Sequence, residues 1–441
     1  MKFYNRENEL DLLRATEKRS EVSAQLTVMM GRRRIGKTSL ILNALNGKRY
    51  AYLFVGHEPE AIMCQRFQRE ITSSLGLNIY GNITSFRELF EIIMRESTHQ
   101  QFSVVFDEVQ NLIRINPDFF YQMQEIWDKY HQSSHVNMIM SGSIHSLMKH
   151  IFENHAEPMY GRATSKMTIM PFKISVLKEI LSDYNPNYSA DDLLCLYMLT
   201  GGVAKYVEIL MENNATSKEA MLDYVVRQDS YFLTEGKNML NDEFSNDYSI
   251  YFSIMQLIAN GKTRVSEIDG EILRPTSVYL ANLEKNYELI AKTQPILARP
   301  NSRTTKYLIN DNFLRFWFRF ILPYQSLIEQ QQFALLRQHI EDSYTQFSGF
   351  TLEQIFRKIM FESGEFTNIG NWWDNKSNNE IDIIALNEFN HTGVIAEVKR
   401  NPKKIDLSIL NDKIKNLPAD FNKYKFEIIG LSLEDLLCNK K

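Results

Sequence analysis

The chain of 441 residues has only three cysteines, Cys64, Cys195 and Cys438, too few and too scattered for a disulfide framework or a thiolate zinc site. It lacks an excess of charge of one sign. Its 50 basic and 54 acidic side chains leave a formal charge of −4, which excludes a globally basic protein that coats DNA but leaves room for local basic patches. No uncharged apolar run reaches the roughly 18 residues of a membrane-spanning helix, so no membrane partner is expected. The stretch from Met1 to Leu10 carries charges where a secretory leader needs an apolar core. Together these absences point to a reducing, cytoplasmic setting. What remains is ordinary globular material, 44% apolar and 24% charged. Its length suits two to four domains, each with its own core.

The most informative stretch comes early. Leu26-Thr-Val-Met-Met30 is a short apolar run without helical period, as in a buried strand. It leads into Gly31-Arg-Arg-Arg-Ile-Gly36-Lys37-Thr38, which fits G-x-x-x-x-G-K-[ST], and a helical segment from Ser39 to Leu45 follows. Strand, glycine loop and helix is the context that makes this pattern a polyphosphate site. Gly31 and Gly36 let backbone N–H groups face a polyphosphate, and the helix dipole adds to the attraction. Lys37 supplies a cation for the β- and γ-phosphates, and the Thr38 hydroxyl is a magnesium ligand. Arg34 and Ser39 flank these groups and are grouped with them as nucleotide contacts. Arg32, Arg33 and Arg34 are not required by the phosphate chemistry, and read either as solvated loop charges or as a contact to a partner.

Such a site needs a carboxylate on a neighbouring strand. Phe102-Ser-Val-Val-Phe-Asp107-Glu108 is an apolar strand ending in two acids, with Tyr50 to Val55 as an intervening strand. Asp107 is expected to hold magnesium through water and Glu108 to polarise the attacking water; the plain alternative is a pair of solvated strand-end acids. Val136-Asn-Met-Ile-Met140 reads as a further strand and ends in Ser141-Gly142-Ser143. Ser141 there is either a γ-phosphate sensor or, like Ser143, a helix N-cap. Arg162, in Tyr160-Gly161-Arg162 ahead of a strand-like Met167 to Phe172, is either an arginine finger, in cis or from a neighbouring subunit, or a salt-bridge partner.

These motifs resemble the archaeal and bacterial ATPases of the AAA+ and signal-transducing (STAND-like) P-loop group. The resemblance rests on Arg6-Glu7-Asn-Glu9-Leu10 ahead of the P-loop, on the triple-arginine loop, on Asp107-Glu108, on Ser141-Gly142-Ser143 and on Gly161-Arg162. It also rests on Thr200-Gly201-Gly202-Val203-Ala204-Lys205-Tyr206, which looks like a lid-domain T-G-G-x-P-x-Y motif with alanine at the proline position. It covers roughly residues 1–240 and implies a parallel α/β sheet with a small helical lid over ATP. Gly201-Gly202 separates two apolar-periodic segments, which by itself reads as a helix-to-helix break.

Further on, Tyr248 to Ile258, Val265 to Ile272 and a segment opened by Arg274-Pro275 read as three helices. Leu289-Ile290 and Lys306-Tyr-Leu-Ile309 then flank a polar turn, Arg299-Pro300-Asn301-Ser302-Arg303. The outline resembles the winged-helix module that follows the lid in these ATPases. Lys292, Arg299, Arg303 and Lys306, with no acid among residues 292–306, suit phosphate contacts. Glu284, Lys285 and Glu288 nearly cancel on the helix that would read DNA, so a structural module that transmits nucleotide state stays open beside a DNA-binding one. Phe313, Phe316, Trp317, Phe318 and Phe320 read as core rather than as a base-stacking platform.

From about Phe347 the pattern changes to a helix around Phe350 to Arg357, strands at Phe366 to Trp373, Glu380 to Leu386 and Thr392 to Lys399, a helix at Leu407 to Leu417 and a strand at Lys425 to Leu431. This α-β-β-β-α-β order resembles the PD-(D/E)xK, restriction-endonuclease-like fold often fused to this ATPase family. The resemblance implies magnesium ligation by Asp382 and Glu397, transition-state stabilisation or water orientation by Lys399, and completion of the metal site by Glu353. An E-x-K pair is also frequent as a surface salt bridge, and such domains also persist as binding platforms. The expected organisation is an α/β P-loop ATPase at 1–175, a helical lid at 176–240, a winged helix at 241–325 and a nuclease-like domain at 326–441. The expected cofactors are ATP and Mg2+, with DNA, a protein partner or further copies of the chain as partners. The expected activity is ATP-controlled binding or cleavage of DNA; a regulatory ATPase switch with inactive C-terminal modules is the alternative.

Overall fold

The computed structural model describes residues 1–241, 244, 248–299, 304–374 and 379–437. Arg303 with its turn 300–302, and Cys438, lie outside the described residues. The chain divides into two compact units, residues 5–170 and residues 1–4 with 171–441.

The first unit is built on a five-stranded parallel sheet of β1 (Gln25–Met30), β2 (Tyr50–Phe54), β3 (Phe102–Asp107), β4 (Val136–Gly142) and β5 (Ser165–Thr168), ordered β2-β3-β4-β1-β5. β1, β3 and β4 are buried along their whole length. That is why they read as unbroken apolar runs: parallel strands are covered on both faces. The connecting helices are α1 (Glu7–Arg19), α2 (Lys37–Ala44), α3 (Glu60–Leu75), α4 (Phe86–Glu96), α5 (Leu112–Ile115), α6 (Phe119–Tyr130) and α7 (His145–Glu153). α4 shows the local logic. Phe86, Leu89, Phe90, Ile93 and Met94 recur at helical spacing and are all buried, and Ser85 caps the first turn by accepting the Glu88 N–H at 3.3 Å. Arg6, the arginine ahead of α1, is buried and donates to the Met170 carbonyl at 2.8 Å. The strand expected at Met167 to Phe172 is shorter, ending at Thr168.

The second unit begins with α8 (Ile174–Tyr184), α9 (Ala190–Thr200), α10 (Ala204–Glu212), α11 (Lys218–Val225) and α12 (Tyr231–Asn241). α9 is the central helix, with ten of its eleven residues buried. Its N-terminus is closed by a capping box, Ser189 accepting the Asp192 N–H at 3.2 Å and Asp192 accepting the Ser189 N–H at 2.7 Å. At its other end Gly202 has φ +81°, and a Cβ there would lie 2.6 Å from the Phe172 carbonyl oxygen. This is the physical reason for the second glycine of Thr200-Gly201-Gly202.

Three helices follow, α13 (Tyr248–Ala259), α14 (Val265–Ile272) and α15 (Ser277–Lys285), then an antiparallel hairpin of β6 (Ile290–Thr293) and β7 (Lys306–Ile309). Next come α16 (Asn312–Phe316) and α17 (Gln325–Glu329). Phe313, Phe316, Trp317, Phe318 and Phe320 are all buried, as core residues. The chain closes with α18 (Phe333–Ser363), β8 (Asn368–Trp373), β9 (Glu380–Asn387), β10 (Thr392–Lys399), α19 (Leu407–Ile414) and β11 (Lys425–Ser432). The four strands form a mixed sheet ordered β11-β10-β9-β8, with only β10 and β11 parallel. The expected α-β-β-β-α-β order is present. α18, however, starts at Phe333 rather than near Phe350. Gly349 lies inside this helix, where Leu336, Ile340, Tyr344, Phe347 and Leu352 form a buried stripe, and packing outweighs the roughly 1 kcal/mol that glycine costs.

The hairpin is joined to this last sheet. The Ile296 N–H donates to the Asn371 carbonyl at 2.9 Å, and Ile296 shares a core with Trp372, Ile381 and Ile384. Lys306 pairs with Glu380 at 3.2 Å and lies 4.4 Å from the centre of the Trp373 ring. Of the four cations expected to meet phosphate, Lys306 is thus engaged within the protein, Arg303 lies outside the described residues, and Lys292 and Arg299 are exposed.

Candidate functional site

The parallel sheet sets its functional residues at one edge. Asp107 pairs with Phe54 on one side and Ser141 on the other, and Ser141 pairs with Met29, two residues before the loop. All four stand at the carboxyl ends of their strands, where open α/β sheets bind ligands. In the loop, Gly36 takes φ 97° and Arg34 φ 67°, so the backbone curls before α2. The Lys37 ammonium folds into the loop, donating to the carbonyls of Gly31 at 2.6 Å and Arg32 at 3.1 Å. Burial lowers its pKa from the usual lysine value, with Glu108 and Asp107 acting in the opposite direction. Thr38 and Ser39 are exposed at the start of α2.

Asp107 is held at both oxygens. Oδ1 accepts the Glu108 N–H at 3.1 Å, and Oδ2 accepts the hydroxyls of Tyr52 and, at 3.4 Å, Thr38. A hydroxyl beside a carboxylate is the hard-oxygen chemistry that suits a magnesium ion, so Thr38 and Asp107 fit the metal expected with a nucleotide. Glu108 sits at φ 56°, and its Oε2 accepts Ser143 Oγ at 2.6 Å and Gln110 Nε2 at 2.5 Å. α7 has no side-chain cap, so neither serine serves there. Ser141 Oγ is fully buried and without a hydrogen-bond partner, beside Asp107 in the sheet. Burial, then the Asp107 charge, raises the Tyr52 phenol well above its ordinary pKa.

A second cluster lies in the mixed sheet. Asp382 Oδ2 accepts the Val398 N–H at 2.8 Å and the Lys399 ammonium at 3.2 Å. Lys399 also meets Glu397 Oε1 at 2.6 Å, while Lys413 approaches Glu397 Oε2 at 3.3 Å. Glu353 reaches in from α18, 3.7 Å from Arg357, whose other nitrogen donates to the Asp382 carbonyl at 3.2 Å. Burial, then the Asp382 carboxylate, pushes Glu353 up to about 8. Burial also raises Asp382, with the Val398 N–H and Lys399 opposing it. For Lys399 burial lowers the pKa, but the Glu397 hydrogen bond and the Asp382 charge outweigh it, and the net shift is upward. The four expected residues therefore converge. Lys399 bridges Asp382 and Glu397, the two acids expected to hold magnesium, and among the described residues no three His, Cys, Asp or Glu side chains are placed to hold an ion together.

Residues 3–210 match a family described as an ATPase domain predominantly from Archaea. Residues 3–210 have the parallel-sheet fold and the loop motif of a P-loop ATPase domain. Residues 317–415 match a second family, described as archaeal and bacterial proteins of unknown function. The uncharacterized protein MJECL04 of Methanocaldococcus jannaschii is 29% identical over 456 residues, covering 98% of this chain and 96% of that protein. Among solved structures, the Walker-type ATPase PABY2304 of Pyrococcus abyssi is similar in fold, with a TM-score of 0.53 and 20% identity over 72% of this chain and 96% of that one.

In this ATPase domain Arg162 is engaged. Its Nε and Nη2 grip Asp128 at 2.9 and 2.6 Å, and Nη1 donates to the Pro158 carbonyl at 2.6 Å. Of the two readings of this arginine, the ion pair is the arrangement present. Tyr52, Gln110 and Ser143, as partners of the two acids, escaped the sequence reading. Gln110 follows Glu108 by two residues, but Tyr52 is brought to Asp107 only by the pairing of β2 with β3. No helix of the described residues is long and apolar enough to cross a membrane.

Proposed function

We propose that the ATPase domain binds and hydrolyses ATP with magnesium, and that nucleotide state governs the action of the C-terminal nuclease-like domain on DNA. The observation that carries the reading is the convergence of Asp382, Glu397 and Lys399, on the two inner strands of a mixed sheet, with Glu353 of α18, in an α-β-β-β-α-β order. In the ATPase domain, Gly31, Arg34, Gly36, Lys37, Thr38 and Ser39 bind the polyphosphate. Lys37 leaves the loop carbonyls to meet phosphate oxygens, Asp107 and Thr38 serve the metal, Ser141 offers its free hydroxyl to the γ-phosphate, and Glu108 accepts a proton from water. A bound magnesium ion supplies charge neutralisation at the phosphates. The helices α13 to α15 with their hairpin are read as a winged helix. Because Ile296 and Lys306 join it to the last sheet, its role is transmission rather than DNA contact.

The second reading, a regulatory ATPase whose C-terminal domain is an interaction platform for a protein partner or another copy of the chain, is favoured by one observation. Lys399 neutralises both acids as they stand. Cleavage of linear, nicked and single-stranded DNA, with and without ATP and magnesium, separates the two. Cleavage lost in Lys399→Ala and altered in Lys37→Ala is the expected result. ATP hydrolysis with no cleavage under any condition would transfer the weight to the platform.

A further inference from the structure

We propose that Tyr52 is a positioning residue of the nucleotide–magnesium site, holding the Asp107 carboxylate in the orientation that serves the metal. The inference rests on the ATPase reading and adds a residue to it.

β2 is the edge strand of the parallel sheet, and its side chains alternate: Ala51 and Leu53 enter the core, while Tyr50, Tyr52 and Phe54 take the other face. Phe54 is the partner of Asp107, so Tyr52 shares the face of Asp107 two residues back along the strand. Two residues span about 6.6 Å, which a tyrosine crosses with its ring and a shorter side chain does not. Its hydroxyl arrives at Asp107 Oδ2 and stands 3.5 Å from Thr38 Oγ1. The phenol therefore touches both oxygen-bearing groups assigned to the metal.

A carboxylate turns easily about its last torsion, which is broad and two-fold. The Glu108 N–H at 3.1 Å fixes one oxygen, and Tyr52 and Thr38 fix the other. Thr38 at 3.4 Å is the longer contact and must also serve the ligand, which leaves Tyr52 as the donor dedicated to Asp107. Partners of this kind orient the groups that serve a metal without touching it themselves.

The test is titration of the full-length protein with a fluorescent ADP analogue, once with magnesium and once with EDTA. Tyr52→Phe keeps the ring and removes only the donor. Its affinity is expected to fall about tenfold in magnesium, the lower end of the usual cost of losing such a partner, and to be unchanged in EDTA. In an Asp107→Asn background the same substitution should cost nothing further, because coupled groups are not additive. Equal affinity of Tyr52→Phe and wild type in magnesium would overturn the assignment, and so would the same loss in EDTA, which marks a structural role. Wild-type protein that binds nucleotide in neither buffer would instead overturn the ATPase reading, and this assignment with it.

Discussion

At Glu353 burial and the neighbouring Asp382 act in one direction, and the carboxyl is pushed up to about 8. A carboxyl whose folded pKa lies above its unfolded one keeps its proton folded and releases it on unfolding. Across the window from the ordinary carboxylate range to about 8, the unfolded chain binds fewer protons, so stability falls as pH rises. Glu353→Gln cannot ionise and removes this dependence. In urea unfolding with a chelator present, the variant should match wild type near pH ~5 and exceed it near pH ~9. A variant destabilised equally at both would mean that the carboxyl acts through shape alone. Arg162 shows the opposite case, an ion pair in which the hydrogen bond to Arg162 holds Asp128 below its ordinary pKa. With Asp128 about half exposed, the pair contributes under about 1 kcal/mol. An Arg162 needed elsewhere during hydrolysis gives up little by leaving.

At the scale of elements, what was legible depended on how local the cause is. β1, β3 and β4 announce themselves because a parallel strand covered on both faces must be apolar throughout. The P-loop shows because phosphate chemistry ties glycines, lysine and threonine to fixed spacing. The contacts of Tyr52 with Asp107 and of Ile296 with the last sheet were not legible, since each depends on register or docking between distant segments. The turn between α9 and α10 lies between these cases: Gly201-Gly202 reads as a break, but only the fold shows Phe172 against it. Gly202→Ala meets both a left-handed φ and a Cβ placed 2.6 Å from the Phe172 carbonyl oxygen. The expected loss is about 2 kcal/mol in chemical unfolding. A change below about 0.5 kcal/mol would show that the turn relaxes freely.

At the scale of the whole second unit, the helices after the parallel sheet and the last mixed sheet are tied by one polar knot. Arg400, directly after Lys399, meets Asp191 of α9 at 2.9 Å and Ser348 of α18 at 2.8 Å. Tyr344 of α18 donates to the same Asp191 at 2.9 Å and lies under the Arg400 guanidinium, 5.1 Å from its ring centre. Asp192, next to it, accepts the Lys218 N–H at 2.6 Å and so joins α11 to the same point. Arg400 adjoins Lys399, so the knot on α9 lies one peptide link from the Asp382–Glu397–Lys399 cluster. Both members of the pair are largely shielded, with 18% and 26% of the Arg400 and Asp191 side chains exposed, so water and salt screen it less than an ordinary surface bridge. A double-mutant cycle of Asp191→Asn and Arg400→Met, read by urea unfolding, should return a coupling of about 1–2 kcal/mol. Methionine keeps the arginine stem over Tyr344, so the cycle reads the polar contact rather than lost packing. Additive effects would show that α9 and the last sheet merely touch.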